Sequence, residues 1–115
     1  MYEYKCELIK VVDGDTIDVL IDVGFSTFRK ERVRLYGINA PESRTRDLEE
    51  KARGLKAKDR LKDILKSWGN SFVIKTEIDK KGKYGRILGM LYDKTLLNCA
   101  NRMLVEEGHA VKYMT

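Results

Sequence analysis

The sequence predicts an α+β fold in which five strands form a small barrel and two helices pack against it. Three observations support this prediction: several short segments alternate between apolar and polar residues, short turns join the first of them, and two helical patterns follow later. The chain of 115 residues is long enough for one domain with its own core and too short for two ordinary domains. We therefore expect a single domain over residues 1–115.

The chain opens with a predicted hairpin. Residues 4–12 have the composition of a strand, Asp13-Gly14 is a dipeptide typical of two-residue hairpin turns, and residues 16–23 alternate strongly. In this second strand the odd-numbered apolar residues share one face, which we expect to point into the core: Ile17, Val19, Ile21 and Val23. A third strand over residues 28–38 extends the hairpin into a meander that can curl into a barrel.

A helix is predicted after the third strand, which Pro41 ends because proline removes a backbone donor and restricts the preceding residue. Apolar residues then recur at roughly helical spacing, and Gly69 follows as a C-terminal cap: Leu48, Ala52, Leu55, Leu61, Leu65 and Trp68. The start of this helix is open. Since Gly54 costs about 1 kcal/mol in a helix interior, the helix begins either near Leu48 or near Leu55, with residues 43–53 as a loop in the second case.

A second hairpin and a second helix complete the predicted layout. Residues 71–78 and 84–92 have the composition of two strands, and residues 97–107 carry a helical pattern that ends at Gly108. Five strands with a helix between the third and the fourth form the layout of an OB-fold, a barrel whose face commonly binds nucleic acid.

Composition narrows the class of protein. With 43% hydrophobic and 36% charged residues, the chain can fill a core and offers no membrane span. The net charge of +5 favours polyanionic partners and is also compatible with plain solubility. The amino terminus lacks a secretory signal, so we expect a cytoplasmic protein, although a secreted mature form would look the same. Cys6 and Cys99 lack metal-site spacing; we expect free thiols, with a single disulfide as the alternative.

Three charged residues do not fit a core. Asp15 shares the parity of the apolar residues of the second strand, and Arg86 shares a face with Leu88 and Met90. An inward charge requires a counterion or hydrogen-bond donors. Arg34 also lies among apolar strand residues, where an edge-strand ion pair is an equally good interpretation. Together the three residues are typical of a phosphate-binding site beside a hard cation.

Other polar residues have plain structural interpretations. Asp13 is predicted to serve only the hairpin turn, and His109, which follows Gly108 and has no Cys or His nearby, is predicted to be structural. Glu42 follows Pro41 at a rigid strand exit, where its carboxylate could activate a water molecule or simply be solvated. A lysine-rich turn over residues 80–83 is usually solvated but could contact phosphates.

Four ordered segments resemble staphylococcal nuclease homologues. They are Val11-Val12-Asp13-Gly14-Asp15-Thr16, Arg32-Val33-Arg34-Leu35-Tyr36-Gly37-Ile38-Asn39-Ala40-Pro41-Glu42, Lys83-Tyr84-Gly85-Arg86 and Leu104-Val105-Glu106-Glu107-Gly108. The resemblance covers nearly the whole chain. It implies an OB-fold and a calcium-dependent endonuclease that hydrolyses phosphodiester bonds of DNA and RNA and leaves 3′-phosphate ends.

The resemblance also implies a role for each matching position. The implied calcium ligands are Asp15, Asn39 and the backbone carbonyl of Ala40. The implied reaction and substrate residues are Arg34 and Arg86 for the scissile phosphate, Glu42 for the attacking water, and Lys83 and Tyr84 for a neighbouring phosphate. The implied partners are single-stranded DNA and RNA, with no membrane, and we expect a monomer.

This chain departs from the family pattern at the metal site. Asn39 stands where family members commonly have Asp, and the loss of one negative charge should weaken calcium binding. The chain also stops soon after Tyr113, so we expect the third helix of the best-known members to be absent or very short. Two other hypotheses remain open: a nucleic-acid-binding module that has lost catalysis, and a protein-interaction domain that uses the barrel as a scaffold.

Overall fold

Seven strands and two helices make up the part of the chain that the computed structural model describes, residues 2–79 and 86–113, with backbone alone at Ile78, Asp79 and Arg86. The strands are β1 Tyr2–Asp13, β2 Thr16–Asp22, β3 Phe28–Leu35, β4 Ile38–Asn39, β5 Ser71–Asp79, β6 Arg86–Tyr92 and β7 Val111–Lys112. The helices are α1 Leu48–Ser67 and α2 Ala100–Glu106.

Five of the strands form a closed barrel in the order β1-β2-β3-β6-β5. Neighbouring strands run antiparallel except β3 and β6, which pair in parallel with Val33 opposite Ile87. β1 is long enough to pair with β5 through its first half and with β2 through its second half. The predicted meander and the predicted five-stranded barrel with two packed helices are therefore confirmed.

The core fills the barrel and the space beneath α1. In β2 the prediction of an inward odd-numbered face is confirmed for Ile17, Val19 and Ile21, which are all buried. It is wrong for Val23, which is exposed because β2 ends at Asp22 and the chain has already turned. Phe72 from β5 is among the largest side chains fully buried in this core.

Helix α1 begins at Leu48, so the alternative start near Leu55 is wrong. The Asp47 side chain accepts hydrogen bonds from the backbone N–H groups of Glu49, at 3.1 Å, and Glu50, at 3.3 Å, which stabilises this end of the helix. Gly54 therefore lies inside the helix. The buried face is also rotated from the predicted apolar stripe: it consists of Gly54, Ala57, Leu61, Ile64 and Leu65, whereas Leu48, Ala52 and Leu55 are exposed.

The predicted third strand is divided in two. β3 ends at Leu35, and Gly37 adopts a φ of +75°, a left-handed conformation that glycine accommodates readily. The chain then enters β4, which pairs antiparallel with β7 so that Asn39 lies opposite Val111. This two-stranded sheet, which the sequence pattern did not indicate, ties Asn39 to the carboxyl-terminal part of the described chain.

Helix α2 is shorter than predicted, and Leu97 lies before it, exposed to solvent. Asn101 is buried in this helix and connects it to the barrel. Its amide oxygen accepts from the backbone N–H of Leu91 at 3.0 Å, and its amide nitrogen donates to the carbonyls of Tyr36 at 2.9 Å and Gly89 at 3.0 Å. Because these groups are buried, the hydrogen bonds fix the turn that separates β3 from β4.

Both cysteines lie in the interior of the fold. Cys6 and Cys99 are buried free thiols, as predicted, and burial raises the pKa of Cys6 to about 12. In the described part of the chain, neither helix has the length and apolar character needed to cross a membrane.

Candidate active site

The turn between β1 and β2 carries Asp15 into a nearly enclosed position. Its side chain is buried, and its two carboxylate oxygens have different partners. Oδ1 accepts from the Thr16 hydroxyl at 3.0 Å, and Oδ2 accepts from the backbone N–H of Ala40 at 2.9 Å. The Asp15 carbonyl also accepts from the backbone N–H of Leu35 at 2.7 Å. Asp15 thus joins the hairpin turn to the stretch of chain from Leu35 to Ala40.

The guanidinium of Arg34 lies next to the Asp15 carboxylate. Its Nη1 is 3.2 Å from Asp15 Oδ2, and its Nη2 donates to Asn39 Oδ1 at 3.2 Å. The Nη1 contact is an ion pair without the alignment of a hydrogen bond, and among the described residues this buried nitrogen meets no hydrogen-bond acceptor. The Asp15 carboxylate compensates the charge of this nitrogen at short range. The Arg34 side chain as a whole is 20% exposed, so an anionic oxygen can approach its accessible part.

Tyr113 supports the guanidinium from another side, a contact that the sequence did not indicate. The Arg34 guanidinium carbon lies 6.0 Å from the centre of the Tyr113 ring, at the limit of a cation–π contact. The backbone N–H of Tyr113 donates to the Gly37 carbonyl at 2.8 Å. The last described residue is thus fastened beside the candidate site.

Asp13 does more than turn the chain. Its Oδ1 accepts a hydrogen bond from the hydroxyl of Ser43, which is almost fully buried, and its Oδ2 lies 3.9 Å from Arg44 Nη2. Ser43 directly follows Glu42. The prediction of a turn role alone was therefore incomplete, because a carboxylate of the turn also anchors the loop that carries Glu42.

Helix α1 packs closely against the same loop. A Cβ added at Gly54 would lie 2.5 Å from the carbonyl carbon of Glu42 and 2.7 Å from the amide nitrogen of Ser43. One helical turn away, Ala57 contacts the hairpin turn: a Cβ added at Gly14 would lie 2.7 Å from the Cβ of Ala57. The small residues of α1 thus set the positions of both the turn before Asp15 and the backbone of Glu42.

Gly54→Ala is expected to unfold more easily and to displace Glu42. The added methyl group meets backbone, which cannot move away as a flexible side chain can, and overpacking of this kind costs about 1–3 kcal/mol. Helix propensity alone predicts the opposite sign, a gain of about 1 kcal/mol. Thermal unfolding compares the two effects. Leu55→Ala, at the next and exposed position, is the control and should change the free energy of unfolding less. A stabilised Gly54→Ala would contradict the packing.

The side chain of Glu42 is exposed at the edge of an open cleft of about 610 Å³. Other lining residues are Asn39, Ala40, Glu50, Arg53 and His109. Glu42 therefore shares one space with two of the implied calcium ligands. His109, for which the sequence predicted a structural role, lines this cleft as well, and only the fold brings it there.

The structure does not describe the side chains of three implied site residues. Arg86 is the first residue of β6, and its neighbour Ile87 pairs with Val33 of β3, but the Arg86 side chain lies outside the described residues. Lys83 and Tyr84 lie outside them entirely. The structure therefore brings together Asp15, Arg34, Asn39 and Ala40, with Glu42 in the adjoining cleft.

The oxygen atoms available as metal ligands at this site suit a hard cation that few protein groups coordinate. Asp15 offers a carboxylate, Asn39 an amide oxygen and Ala40 a backbone carbonyl, which are oxygen ligands that Ca²⁺ accepts in an irregular shell completed by water. Within residues 2–79 and 86–113, no group of three or more His, Cys, Asp or Glu side chains is arranged to hold a metal. Because Arg34 contacts both Asp15 and Asn39, the residues fit a weakly held ion.

Comparison with known proteins identifies one family and several relatives of this chain. The model of the family described as staphylococcal nuclease homologue matches residues 32–115, a stretch that includes Arg34, Asn39, Glu42 and Arg86. The chain is 33% identical to micrococcal nuclease of Shigella flexneri, over 96% of this chain and 59% of that protein. It is 34% identical to endonuclease YhcR of Bacillus subtilis, over 96% of this chain and 9% of that protein.

A third relative matches a shorter stretch. The chain is 36% identical to protein ParB of Escherichia coli, over 78% of this chain and 42% of that protein. The chain therefore spans no more than about three fifths of the length of each of these relatives.

Proposed function

This chain belongs to the staphylococcal nuclease homologue family, and we propose that it is a calcium-dependent endonuclease acting on phosphodiester bonds of DNA and RNA. The observation that carries the proposal is the contact of Arg34 with Asp15 and Asn39, which holds a partly exposed guanidinium beside oxygen ligands suited to a cation. A phosphoryl oxygen is anionic, so it can bind both the guanidinium and a cation held by these ligands. Two relatives named as nucleases support the same reaction class.

In this proposal the ion is held by Asp15, Asn39 and the backbone carbonyl of Ala40. When bound, it supplies Lewis-acid polarisation of a phosphoryl oxygen. Arg34 and Arg86 bind the scissile phosphate and stabilise the charge that develops on its oxygens in the transition state. Lys83 and Tyr84 contact a neighbouring phosphate.

Glu42 orients the attacking water and accepts its proton. The water oxygen forms a bond to phosphorus, the bond between phosphorus and the 5′ oxygen breaks, and that oxygen takes up a proton. The products are a 3′-phosphate and a 5′-hydroxyl. The exposure of Glu42 in a cleft shared with Asn39 and Ala40 supports this role, because water reaches the carboxylate freely.

A second candidate function is a nucleic-acid-binding module with little or no catalysis. The observation that favours it is Asn39, which leaves Asp15 as the only carboxylate among the implied ligands. A site with fewer charges binds calcium less tightly. This alternative predicts salt-sensitive binding of single-stranded DNA without turnover.

Calcium titration of the hydrolysis of single-stranded DNA, with the wild type and Asn39→Asp side by side, tests the proposal. We expect calcium-dependent cleavage by both proteins, with half-saturation at about tenfold lower calcium for Asn39→Asp, equivalent to about 1.4 kcal/mol. The matched control is Asn70→Asp, which adds the same charge at an exposed turn. Binding without cleavage by either protein at any calcium concentration would favour the second candidate.

A further inference from the structure

The outer face of β3 carries a row of cations that leads away from Arg34. Alternate residues of a strand point to the same side, so Arg32 and Lys30 share the face of Arg34. The intervening Val33 and Leu35 are buried in the core. Since residues two apart along a strand are separated by about 6.6 Å, the row advances in steps comparable to one nucleotide of an extended strand.

Residues of β1 and β2 widen this row into a cleft of about 480 Å³. Lys10 of β1 and Arg32 of β3 both pair with Asp18 of β2 in the strand registers, so the two cations flank one carboxylate. Lys30 lines the same cleft, and Phe28 continues the face of β3 with a side chain that is 54% exposed. We call Lys10, Phe28, Lys30 and Arg32 the β3 ridge.

The carboxylates of this cleft are already engaged by arginines. Asp18 accepts from Arg32 Nε at 2.8 Å and Nη2 at 3.2 Å, and this hydrogen-bonded pairing keeps the pKa of Asp18 below its usual range. Glu31 accepts from Arg29 Nη2 at 2.7 Å. Lys10 reaches only to 3.9 Å from Asp18, and Lys30 has no ion pair within the described residues. Both lysines are exposed, and Asp18 is held mainly by Arg32, so the lysine ammonium groups remain accessible to a polyanion.

We propose that the β3 ridge binds the nucleotides of a single-stranded nucleic acid that adjoin the scissile phosphate, an inference that rests on the proposed function of the Arg34 site. Lys10, Lys30 and the outer edge of Arg32 follow the phosphates, and Phe28 offers a ring on which a base stacks. The continuity of the ridge with Arg34 along one strand favours this ligand over a polyanion that binds elsewhere.

The test compares two double variants with equal loss of charge. Lys10→Gln/Lys30→Gln removes the two exposed lysines of the ridge, whereas Lys56→Gln/Lys62→Gln removes two exposed lysines of α1. Fluorescence anisotropy measures binding of a labelled oligothymidylate 12-mer and of a trinucleotide over a range of salt concentrations. We expect the ridge variant to lose about tenfold in its preference for the 12-mer, and its salt slope to fall by roughly 1.4.

Phe28→Ala separates stacking from charge. It is expected to weaken binding of the 12-mer by about fivefold or more with an unchanged salt slope. Equal losses for the ridge and α1 double variants would mean that only net charge matters and would overturn the proposal, as would an unchanged preference for the 12-mer. If the wild type cleaves no substrate, the proposed nuclease function fails, while the binding comparison still decides whether the ridge binds the strand.

Discussion

Arg34→Ala is expected to lower kcat/KM for a single-stranded oligonucleotide by about 10²- to 10³-fold, the usual effect of removing one preorganised donor from a developing oxyanion. Arg34 is held by contacts to Asp15 and Asn39, while its side chain remains 20% exposed. Its guanidinium is thus oriented before substrate binds. Because the donor needs no reorganisation during the reaction, its removal raises the barrier directly.

Single-turnover cleavage at saturating calcium measures this loss, and thermal unfolding shows whether the fold survives. Arg34→Lys keeps the charge without the planar fork, so it should recover only part of the rate. Arg29→Ala is the control because it removes an exposed arginine of the same strand that pairs with Glu31. A full rate for folded Arg34→Ala would remove Arg34 from the chemistry and leave it a structural counterion of Asp15.

The position of the Asp15 side chain could be predicted from the sequence more readily than that of Arg34. The parity of β2 continues into the turn, so an inward position for Asp15 follows from alternation alone, and the structure buries it. Arg34 lies on the outer face of a strand, where a charged residue is ordinary. Only the turn after Leu35, which folds Asn39 back beside Arg34, distinguishes this arginine from any other surface cation.

The packing of α1 could not be predicted from helix propensity. Gly54 weakens an isolated helix, and on that ground the sequence allowed a start near Leu55. In the fold, the loop after Pro41 approaches so closely that only glycine fits, and the buried face turns towards Gly54 and Ala57. Tertiary contact outweighs the local preference. The leucines at the start of the helix are consequently exposed.

Very short strands leave little trace in a sequence. β4 and β7 have two residues each, too few to show alternation, although their pairing places Asn39 opposite Val111 and Tyr113 near Arg34. Similarly, a hydrogen bond such as that between Asp13 and Ser43 joins residues 30 positions apart and depends on the path of the chain between them. Long-range contacts of this kind complete a candidate site whose main residues the motifs had indicated.

Glu42→Gln is expected to reduce the rate of cleavage by about 10²- to 10⁴-fold, the range usual for loss of a general base. The substitution keeps the size and hydrogen-bonding reach of the side chain but removes its capacity to take a proton. Since Glu42 is exposed and its backbone is held by α1 and by the neighbouring Ser43, the fold should be unaffected. Single-turnover rates, with calcium binding measured in parallel, give the comparison.

Glu50→Gln is a close control, because Glu50 lines the same cleft and the variant makes the same change of charge. If Glu42 acts only by making the cleft negative, the two variants should lose rate equally. If Glu42 accepts the proton of the attacking water, only Glu42→Gln should show the rate loss of about 10²- to 10⁴-fold. Its calcium affinity should then stay within about twofold of the wild type. A loss of rate that calcium fully restores would instead place Glu42 among the groups that hold the ion.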